Sequence, residues 1–307
     1  MAIAALIPAN SQAAAGGGSP RRRGGLVAAV LLLPGLLYLA LFFLVPFVSL
    51  VITSFGINDP SEYGSFYYGF NIQNYVDVIV EYWPQFLRSF GYALLATIFA
   101  LLIGYPIAYF IGVRIRERKL LRNLLLVLVI APFFISFLLR TLAWKQILSD
   151  EGPVVGALQL IGLMGPQDHI TGTGFAVVFG LTYNFIPFMT LPLFTSLDRL
   201  DKRLIEAGGD LYASPTATFF KVTFPLSLPG VVSGTLLTFI PAAGDYVNAS
   251  QSFLGGPSTA MIGNVIQSKF LITVNYPQAA ALSVLLMAVI LVIVGIYIRR
   301  SGTEDLL

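Results

Sequence analysis

The sequence predicts an all-α integral membrane protein with six transmembrane helices, because of its composition, its uncharged runs and the placement of its basic residues. Of its 307 residues, 56% are hydrophobic and only 11% are charged, whereas soluble domains carry roughly 25% charged residues. A helix needs about 20 residues to cross the hydrocarbon core of a bilayer. Five uncharged runs are long enough, and they are residues 24–58, 89–113, 170–197, 222–244 and 270–298.

A sixth span is predicted at residues 123–139. This run is short, but it continues past Arg140 and ends at Trp144 and Lys145. Aromatic and basic residues are typical of the membrane interface, where they anchor helix ends. The uncharged run 246–268 is instead rich in Asn, Ser, Gln and Gly. Its polar groups would be unsatisfied in lipid, so a loop is expected there.

The basic residues predict the orientation of the spans. Fourteen of the 18 Lys and Arg residues fall in the N-terminal segment, in the loops 114–122 and 198–221, and directly after the last span. The other four fall on the opposite side. Because cytoplasmic loops carry an excess of Lys and Arg, both termini are predicted to be cytoplasmic, in a multi-pass protein of the cell membrane.

Three regions are expected along the chain: a disordered cytoplasmic segment at 1–23, a six-helix membrane domain at 24–300 and a cytoplasmic tail at 301–307. The three arginines at 21–23 could open a secretory signal. However, the apolar run after them is about twice the usual length of a signal core, and no small-residue cleavage site ends it. We therefore expect it to be retained as the first span.

Several chemistries are excluded by missing residue types. The chain has no cysteine and one histidine, His169, so it lacks the parts of a thiolate centre, a Cys-ligated metal site or a Ser-His-Asp triad. No Lys follows a Gly, so the phosphate-binding loop G-x-x-x-x-G-K-[ST] is absent. The chain is predicted not to be an enzyme, to bind no cofactor or metal, and not to bind ATP by that route.

The loop 198–225 is predicted to form two short helices. Leu200, Leu204, Ala207 and Leu211 recur at helical spacing, with Asp201 as a candidate N-cap. Ser214 followed by Pro215 predicts the start of a second helix. The charges between residues 198 and 221 sum to zero, whereas helices that lie on membranes are usually basic. A protein groove is thus favoured as the partner of this loop, with a lipid-facing helix as the alternative.

The same loop resembles the EAA loop, the signature of ABC importer permease subunits. The spacing is carried by Glu206-Ala207-Gly208, then Tyr212, then Val222 and Phe224-Pro225. The resemblance implies that the loop is a coupling helix seated in a groove of a separate ATPase. The contact residues it implies are Leu204, Glu206, Ala207, Gly208, Asp210, Leu211 and Tyr212.

The chain departs from the family pattern at three positions of this loop. Gly208 replaces an Ala and Phe224 replaces a Leu, while Tyr212 stands where the family has a Gly in the left-handed conformation. A side chain in that conformation costs on the order of 1 kcal/mol. Either Gly208 and Gly209 form the turn instead, or the geometry of the loop differs from the family norm.

Much of the chain is similar to one branch of this family, the spermidine/putrescine importer permeases of PotB type. The likeness is carried by NIQNY at 71–75, GYPIAYF at 104–110, RTLAW at 140–144, PFMTLPLFTSLDRLDKRLIEA at 187–207, LPGVVSG at 228–234, PAAGDYV at 241–247 and LGGPSTAMIGNVIQSKF at 254–270. The resemblance implies a type I ABC importer permease fold of six spans in the lipid bilayer. It also implies a second, PotC-like permease subunit, two copies of an ATPase that binds the ATP, and a PotD-like extracytoplasmic solute-binding protein. No nucleic acid partner is expected.

Asp245 and Tyr246 are the candidate residues of the substrate pathway. Counting from Leu228, Asp245 lies roughly 25 Å along the fifth span, in the outer half of the bilayer. A carboxylate there could pair with a solute ammonium, beside the ring of Tyr246. Alternatively, Asp245 is an interfacial acid at the helix end.

Two other functions stay open on the sequence. An importer for another small organic or anionic solute should show a buried Arg or Lys, for which Arg140 and Lys145 are the candidates. A stand-alone carrier or membrane enzyme would need ionisable residues inside the spans, which supply almost none.

We predict that a cysteine introduced by Gly16→Cys is not labelled by an impermeant thiol reagent in intact cells, because the N-terminus is cytoplasmic. The natural chain has no cysteine, so labelling reports this position alone. Permeabilised cells are the positive control, and labelling in intact cells would contradict the orientation.

Overall fold

A computed structural model describes residues 23–59 and 61–301. Apart from Arg23 and Ser301, the predicted N-terminal segment 1–23 and tail 301–307 lie outside the described residues. The α-helices are α1 (Arg23–Leu39), α2 (Val45–Ser54), α3 (Gln73–Tyr109), α4 (Lys119–Ile130), α5 (Phe137–Leu148), α6 (Pro153–Leu160), α7 (Gly174–Asp198), α8 (Lys202–Asp210), α9 (Pro215–Thr218), α10 (Phe224–Leu226), α11 (Leu228–Ala243), α12 (Ile262–Leu271) and α13 (Tyr276–Ser301). A small antiparallel hairpin of β1 (Ile57–Asn58) and β2 (Phe66–Tyr67) pairs Ile57 with Tyr67 and Asn58 with Phe66.

Two compact units make up the chain, one up to Ser49 and one from Leu50 onward. The first holds α1, a π-helical turn at Ala40–Leu44 and the start of α2. Helical backbone continues through both junctions, and Val30–Ser54 is 25 residues long with a mean hydropathy of 2.6. This segment is the predicted first span, which ends before residue 58 because α2 stops at Ser54.

The core of the second unit lies where α3, α7 and α11 pack together. Met189, Leu193 and Leu197 of α7 are fully buried, and small residues let the neighbouring helices approach them. A side chain at Gly104 of α3 would lie 2.8 Å from Thr190 Oγ1, and one at Gly234 of α11 would lie 2.8 Å from Met189 Sδ. Close approach at small residues is typical of helices packed in membranes.

Helix α3 begins 16 residues before the predicted span at residue 89. Asn71 caps its first turn, since Gln73 N donates to Asn71 Oδ1 at 3.1 Å. The uncharged run 89–113 covers only the part of α3 that has no ionised side chains. Arg88 precedes this run, and α3 extends back past Arg88 to Gln73 because a helix that projects beyond the hydrocarbon tolerates charged residues there.

The third predicted span, residues 123–139, is not one straight helix. The segments Lys119–Phe134 and Phe137–Leu160 meet at 94°, with Ile135 at ψ 137° and Ser136 at ψ 133° in extended conformation. Pro132 lies in the 3₁₀ turn that ends the first segment. Proline removes a backbone donor and clashes with the preceding turn, so Pro132 weakens the helix just before the break at Ile135 and Ser136.

The fifth predicted span, residues 222–244, is also bent. Pro215–Leu226 and Leu228–Ala243 meet at 63° at Ser227. The Ser227 hydroxyl lies 2.8 Å from Tyr105 Oη and donates to the carbonyl of Phe224 at 2.9 Å. These bonds satisfy backbone and side-chain groups where the helix breaks, as hydrocarbon requires.

The predicted loop 246–268 is a loop only as far as Met261, because α12 begins at Ile262. Asn264 caps α12 by accepting from Met261 N at 3.0 Å. The last span starts at Tyr276, after the predicted residue 270, because Val274 has a φ of 49° and interrupts the helix.

Four helices are long and apolar enough to cross a membrane by themselves, and they are Val30–Ser54, Gln73–Arg114, Gly174–Asp198 and Tyr276–Arg300. If each bent pair also crosses once, the described residues supply the six predicted spans.

Candidate functional site

The loop between the fourth and fifth spans has the two-helix form predicted from the sequence. Asp201 caps α8, accepting from Arg203 N at 3.0 Å. Ser214 caps α9, accepting from Ala217 N at 3.2 Å, with Pro215 in the first turn. Both predicted N-caps are therefore confirmed, and helical backbone continues from Pro215 to Leu226.

Tyr212 forms the left-handed turn between α8 and α9, with a φ of 58°. Its amide donates to the carbonyl of Gly209 at 2.9 Å, and Ala213 N donates to Gly208 O at 3.0 Å. The Tyr212 side chain is 99% exposed. The turn is not formed by Gly208 and Gly209, which lie inside α8; Tyr212 itself adopts the left-handed conformation at the position of the family glycine.

Gly208 does not form the turn, but its lack of a side chain lets α8 and α9 pack closely. A side chain at this position would meet Thr218 Oγ1 at 2.7 Å and Thr218 Cγ2 at 2.8 Å. Thr218 is buried in this contact. The replacement of the family alanine by Gly208 thus allows a closer approach of the two short helices.

Most of the predicted coupling residues are exposed on α8 and at its end. Leu204 is 47% exposed and Leu211 is 80% exposed, and the other exposed members of the set are Glu206, Ala207, Asp210 and Tyr212. Leu200, predicted on the same stripe, packs into the core instead. It precedes the N-cap Asp201, so it does not share the helical register of α8.

Ion pairs anchor the start of this loop. The Asp198 carboxylate, at the end of α7, pairs with Arg122 Nη2 at 2.8 Å and with Arg116 Nε at 3.5 Å. Arg116 Nη1 also donates to the carbonyl of Leu200 at 2.8 Å, and its Nη2 donates to the carbonyl of Asp198. Residues that follow α3 therefore hold the backbone from which α8 departs.

A second link joins the first turn of α8 to the same segment. Lys202 pairs with Glu117, and the hydrogen bond from Lys202 lowers the pKa of Glu117 below its ordinary value. With Asp198 and Lys202 paired inside the chain, the loop still carries as many acids as bases, namely Asp201, Glu206 and Asp210 against Arg199, Arg203 and Lys221.

Asp245 lies outside the helix in which it was predicted. Helix α11 begins at Leu228 as expected but ends at Ala243, and Asp245 follows in the loop. Its side chain is buried, with 7% of the residue exposed. Oδ1 accepts from Asn248 N at 2.8 Å and Oδ2 accepts from Asn248 Nδ2 at 3.2 Å. Tyr246, in contrast, is 47% exposed, and its carbonyl accepts from Asn264.

The carboxylate of Asp245 belongs to a buried polar cluster of four residues that we call the amide cluster: Thr141, Asn184, Asp245 and Asn248. Asn184 Nδ2 donates to Thr141 Oγ1 at 3.2 Å and to Asn248 Oδ1 at 3.1 Å. The cluster thus joins α5, α7 and the loop after α11. Asn184 and Asn248 were missed in the sequence, although Asn184 is the only carboxamide in the run 170–197.

The two candidate cations of an anion path differ in their surroundings. Arg140 is buried, its guanidinium carbon lies 5.8 Å from the centre of the Phe137 ring, and its Nε has no hydrogen-bond partner among the described residues. Lys145 Nζ donates to the carbonyl of Ser252 at 2.9 Å. Within the described part of the chain, no group of three His, Asp or Glu residues could hold a metal ion.

Comparison with known proteins places these features in a family. A family model described as binding-protein-dependent transport system inner membrane component matches residues 104–301. The spermidine/putrescine transport system permease protein PotB of Haemophilus influenzae is 36% identical over 265 residues, covering 86% of this chain and 90% of that protein. PotB of Escherichia coli K12 is 35% identical over the same length, covering 86% and 94%.

A solved structure has the same fold. It is a chain of a bacterial ABC transporter that imports the acidic polysaccharide alginate, with a TM-score of 0.65 and 20% identity, covering 92% of this chain and 97% of that one.

We predict that Tyr212→Gly leaves the purified protein as stable or raises its melting temperature, because glycine takes a φ of 58° without steric cost and the exposed ring has no packing to lose. Leu211→Gly is the matched control, since Leu211 has a φ of −85° and glycine there should only destabilise. A lower melting temperature or a lost partner subunit in Tyr212→Gly would show that the ring packs against another protein.

Proposed function

This chain belongs to the family of inner membrane components of binding-protein-dependent transport systems, and we propose that the solute it moves is a polyamine. The protein is a permease subunit of a type I ABC importer and is not itself an enzyme. The observation that carries the solute proposal is the 36% identity over 265 residues to a spermidine/putrescine permease.

The exposed face of α8 is the proposed seat of the ATPase. It is short, capped at its start, electrically neutral and attached to the core by Arg116 and Asp198. Because α8 is attached at the end of α7, a displacement of α8 would also displace α7. We propose that a groove of the ATPase receives Leu204, Ala207 and Leu211, with Glu206 and Asp210 at the rim.

The remaining partners complete an importer. We propose a second, PotC-like permease subunit, two copies of the ATPase and a PotD-like extracytoplasmic binding protein. Both termini and α8 lie on the cytoplasmic side, as the distribution of basic residues indicates. The solute is moved by alternating access and is not chemically changed.

The amide cluster is the proposed polar point of the solute pathway. It is buried, it contains the acid Asp245, and it joins α5, α7 and the loop after α11. Because α5, α7 and the loop after α11 meet at the amide cluster, a shift of one against the others could open or close the solute pathway there. A polyamine ammonium suits such a point because carboxylate and amide oxygens accept its hydrogen bonds.

A second candidate solute is a small organic anion, and Arg140 favours it. A buried guanidinium without an acid partner in the described chain is the group that such a solute would need. Uptake of a labelled dicarboxylate in place of spermidine would select this candidate.

We predict that cells without their own polyamine uptake take up labelled spermidine when this chain is expressed with its partner subunits, and that Ala207→Arg abolishes the uptake. A long charged side chain cannot be desolvated in a packed groove without a partner. Gly209→Arg is the matched control, because Gly209 is exposed, lies about 200° around the helix from Ala207, and a Cβ added there would meet no atom within 4 Å. Its uptake should stay within about twofold of wild type, as for surface substitutions elsewhere.

Normal uptake by the Ala207→Arg variant would contradict the ATPase contact and would favour the alternative that α8 faces lipid. No spermidine uptake by the wild-type complex would contradict the proposed solute.

A further inference from the structure

We propose that Oδ1 of Asn184 receives the ammonium group of the solute, and that Asp245 acts by orienting this amide without touching the solute. The inference rests on the proposed polyamine function and assigns the contact to a residue that carries no charge. The evidence for it is which atoms donate and which accept the hydrogen bonds in the amide cluster.

Asp245 determines the orientation of the Asn248 side-chain amide. An ionised carboxylate only accepts hydrogen bonds, and both of its oxygens accept from Asn248, one from the backbone amide and one from Nδ2. The Nδ2 group of Asn248 is therefore turned toward Asp245. Its Oδ1 is turned the other way, toward Asn184.

The orientation of Asn248 in turn determines the orientation of the Asn184 side-chain amide. Asn248 Oδ1 can only accept, so the group 3.1 Å away on Asn184 must be Nδ2. The hydroxyl of Thr141 donates to the carbonyl of Phe137 at 3.0 Å, so toward Asn184 it also accepts. Both protons of Asn184 Nδ2 are used in this way.

The consequence is a free acceptor inside the protein. Asn184 is 2% exposed, and its Oδ1 is buried without a hydrogen-bond partner among the described residues. Buried polar groups in native proteins are nearly always paired, and an exception calls for an explanation. A donor that arrives from outside the chain supplies one.

The chemistry of the missing partner is that of an ammonium. A primary ammonium has three N–H donors and no acceptor, so it matches a lone carbonyl oxygen. A carboxylate would instead place its lone pairs against those of Oδ1. The Nε of Arg140, the residue before Thr141, also has no hydrogen-bond partner among the described residues, so it does not satisfy Oδ1.

The backbone of α7 is shaped for this arrangement. Gly180 lies one helical turn before Asn184, and a side chain there would meet Asn248 Oδ1 at 2.6 Å. The absence of a side chain at Gly180 lets the Asn248 amide lie against α7 and reach Asn184.

The experiment measures uptake of labelled spermidine at limiting solute by the complete complex, assembled with its ATPase and loaded binding protein. The proteins compared are wild type, Asn184→Ala, Asp245→Asn and the double variant, with Thr182→Val as the control. Thr182 is a buried residue of α7 whose hydroxyl donates only to the Val178 carbonyl of its own helix.

We expect Asn184→Ala to lower uptake by about fivefold or more, because one hydrogen bond to a charged group is lost. Asp245→Asn should lower uptake by a similar factor, because a carboxamide no longer dictates which way Asn248 faces. If Asp245 acts through Asn184, the double variant should be no worse than Asn184→Ala alone. Thr182→Val should stay within about twofold of wild type, both in uptake and in basal ATP hydrolysis.

Three outcomes would overturn the inference. Uptake by Asn184→Ala equal to wild type would show that Oδ1 is not used. Multiplied losses in the double variant would mean that Asp245 meets the solute by itself. Failure of wild type to move spermidine would remove the proposed function, and this inference with it, before any variant is considered. Should Asn184→Ala not assemble, Asn184→Leu fills the same space without an acceptor and carries the same expected loss.

Discussion

The ion pairs of Asp198 with Arg116 and Arg122 fix the end of α7, from which the loop with α8 departs. Asp198 ends α7, whose residues Met189, Leu193 and Leu197 are fully buried. Asn184 lies 14 positions earlier on the same helix, which is about 21 Å at the rise of an α-helix. One packed helix therefore connects the amide cluster with the loop that carries α8, and Asp198 is the point where that helix is clamped to the segment after α3.

Prolines shape the helices around this connection without breaking α7. Pro187 and Pro192 lie inside α7, which stays helical from Gly174 to Asp198. At the two bent pairs the helix does break, next to Pro132 and at Ser227 between Pro225 and Pro229. The sequence showed all of these prolines, but whether a proline kinks a helix depends on which neighbours satisfy the freed backbone groups.

Local features of the coupling loop could be predicted because they are decided within a few residues. The caps at Asp201 and Ser214 and the two short helices follow from side chains that bond their own backbone. The left-handed conformation of Tyr212 could not be predicted, because it is costly for a residue with a side chain. Gly208 lies inside α8 and lets this helix approach Thr218, which is ten residues further along the chain.

The amide cluster could not be predicted, since its members meet only in the folded chain. Asn184 and Asn248 are 64 residues apart, and Thr141 is 43 residues from Asn184. The charge of Asp245 drew attention in the sequence, but its environment depends on α11 ending at Ala243, two residues before it. An uncharged residue such as Asn184 gives little signal until its hydrogen-bond partners are known.

We propose that α7 transmits movement between the solute pathway and the ATPase through the ion pairs of Asp198. The most direct test is the number of solute molecules transported per ATP hydrolysed by the purified complex in vesicles, for wild type, Asp198→Asn and Asp201→Asn. Asp201→Asn removes the same charge three residues away but keeps an equally good N-cap, so its ratio should equal that of wild type. We expect Asp198→Asn to assemble and to hydrolyse ATP, but its ratio should fall by about threefold or more. An unchanged ratio in an intact complex would contradict the claim.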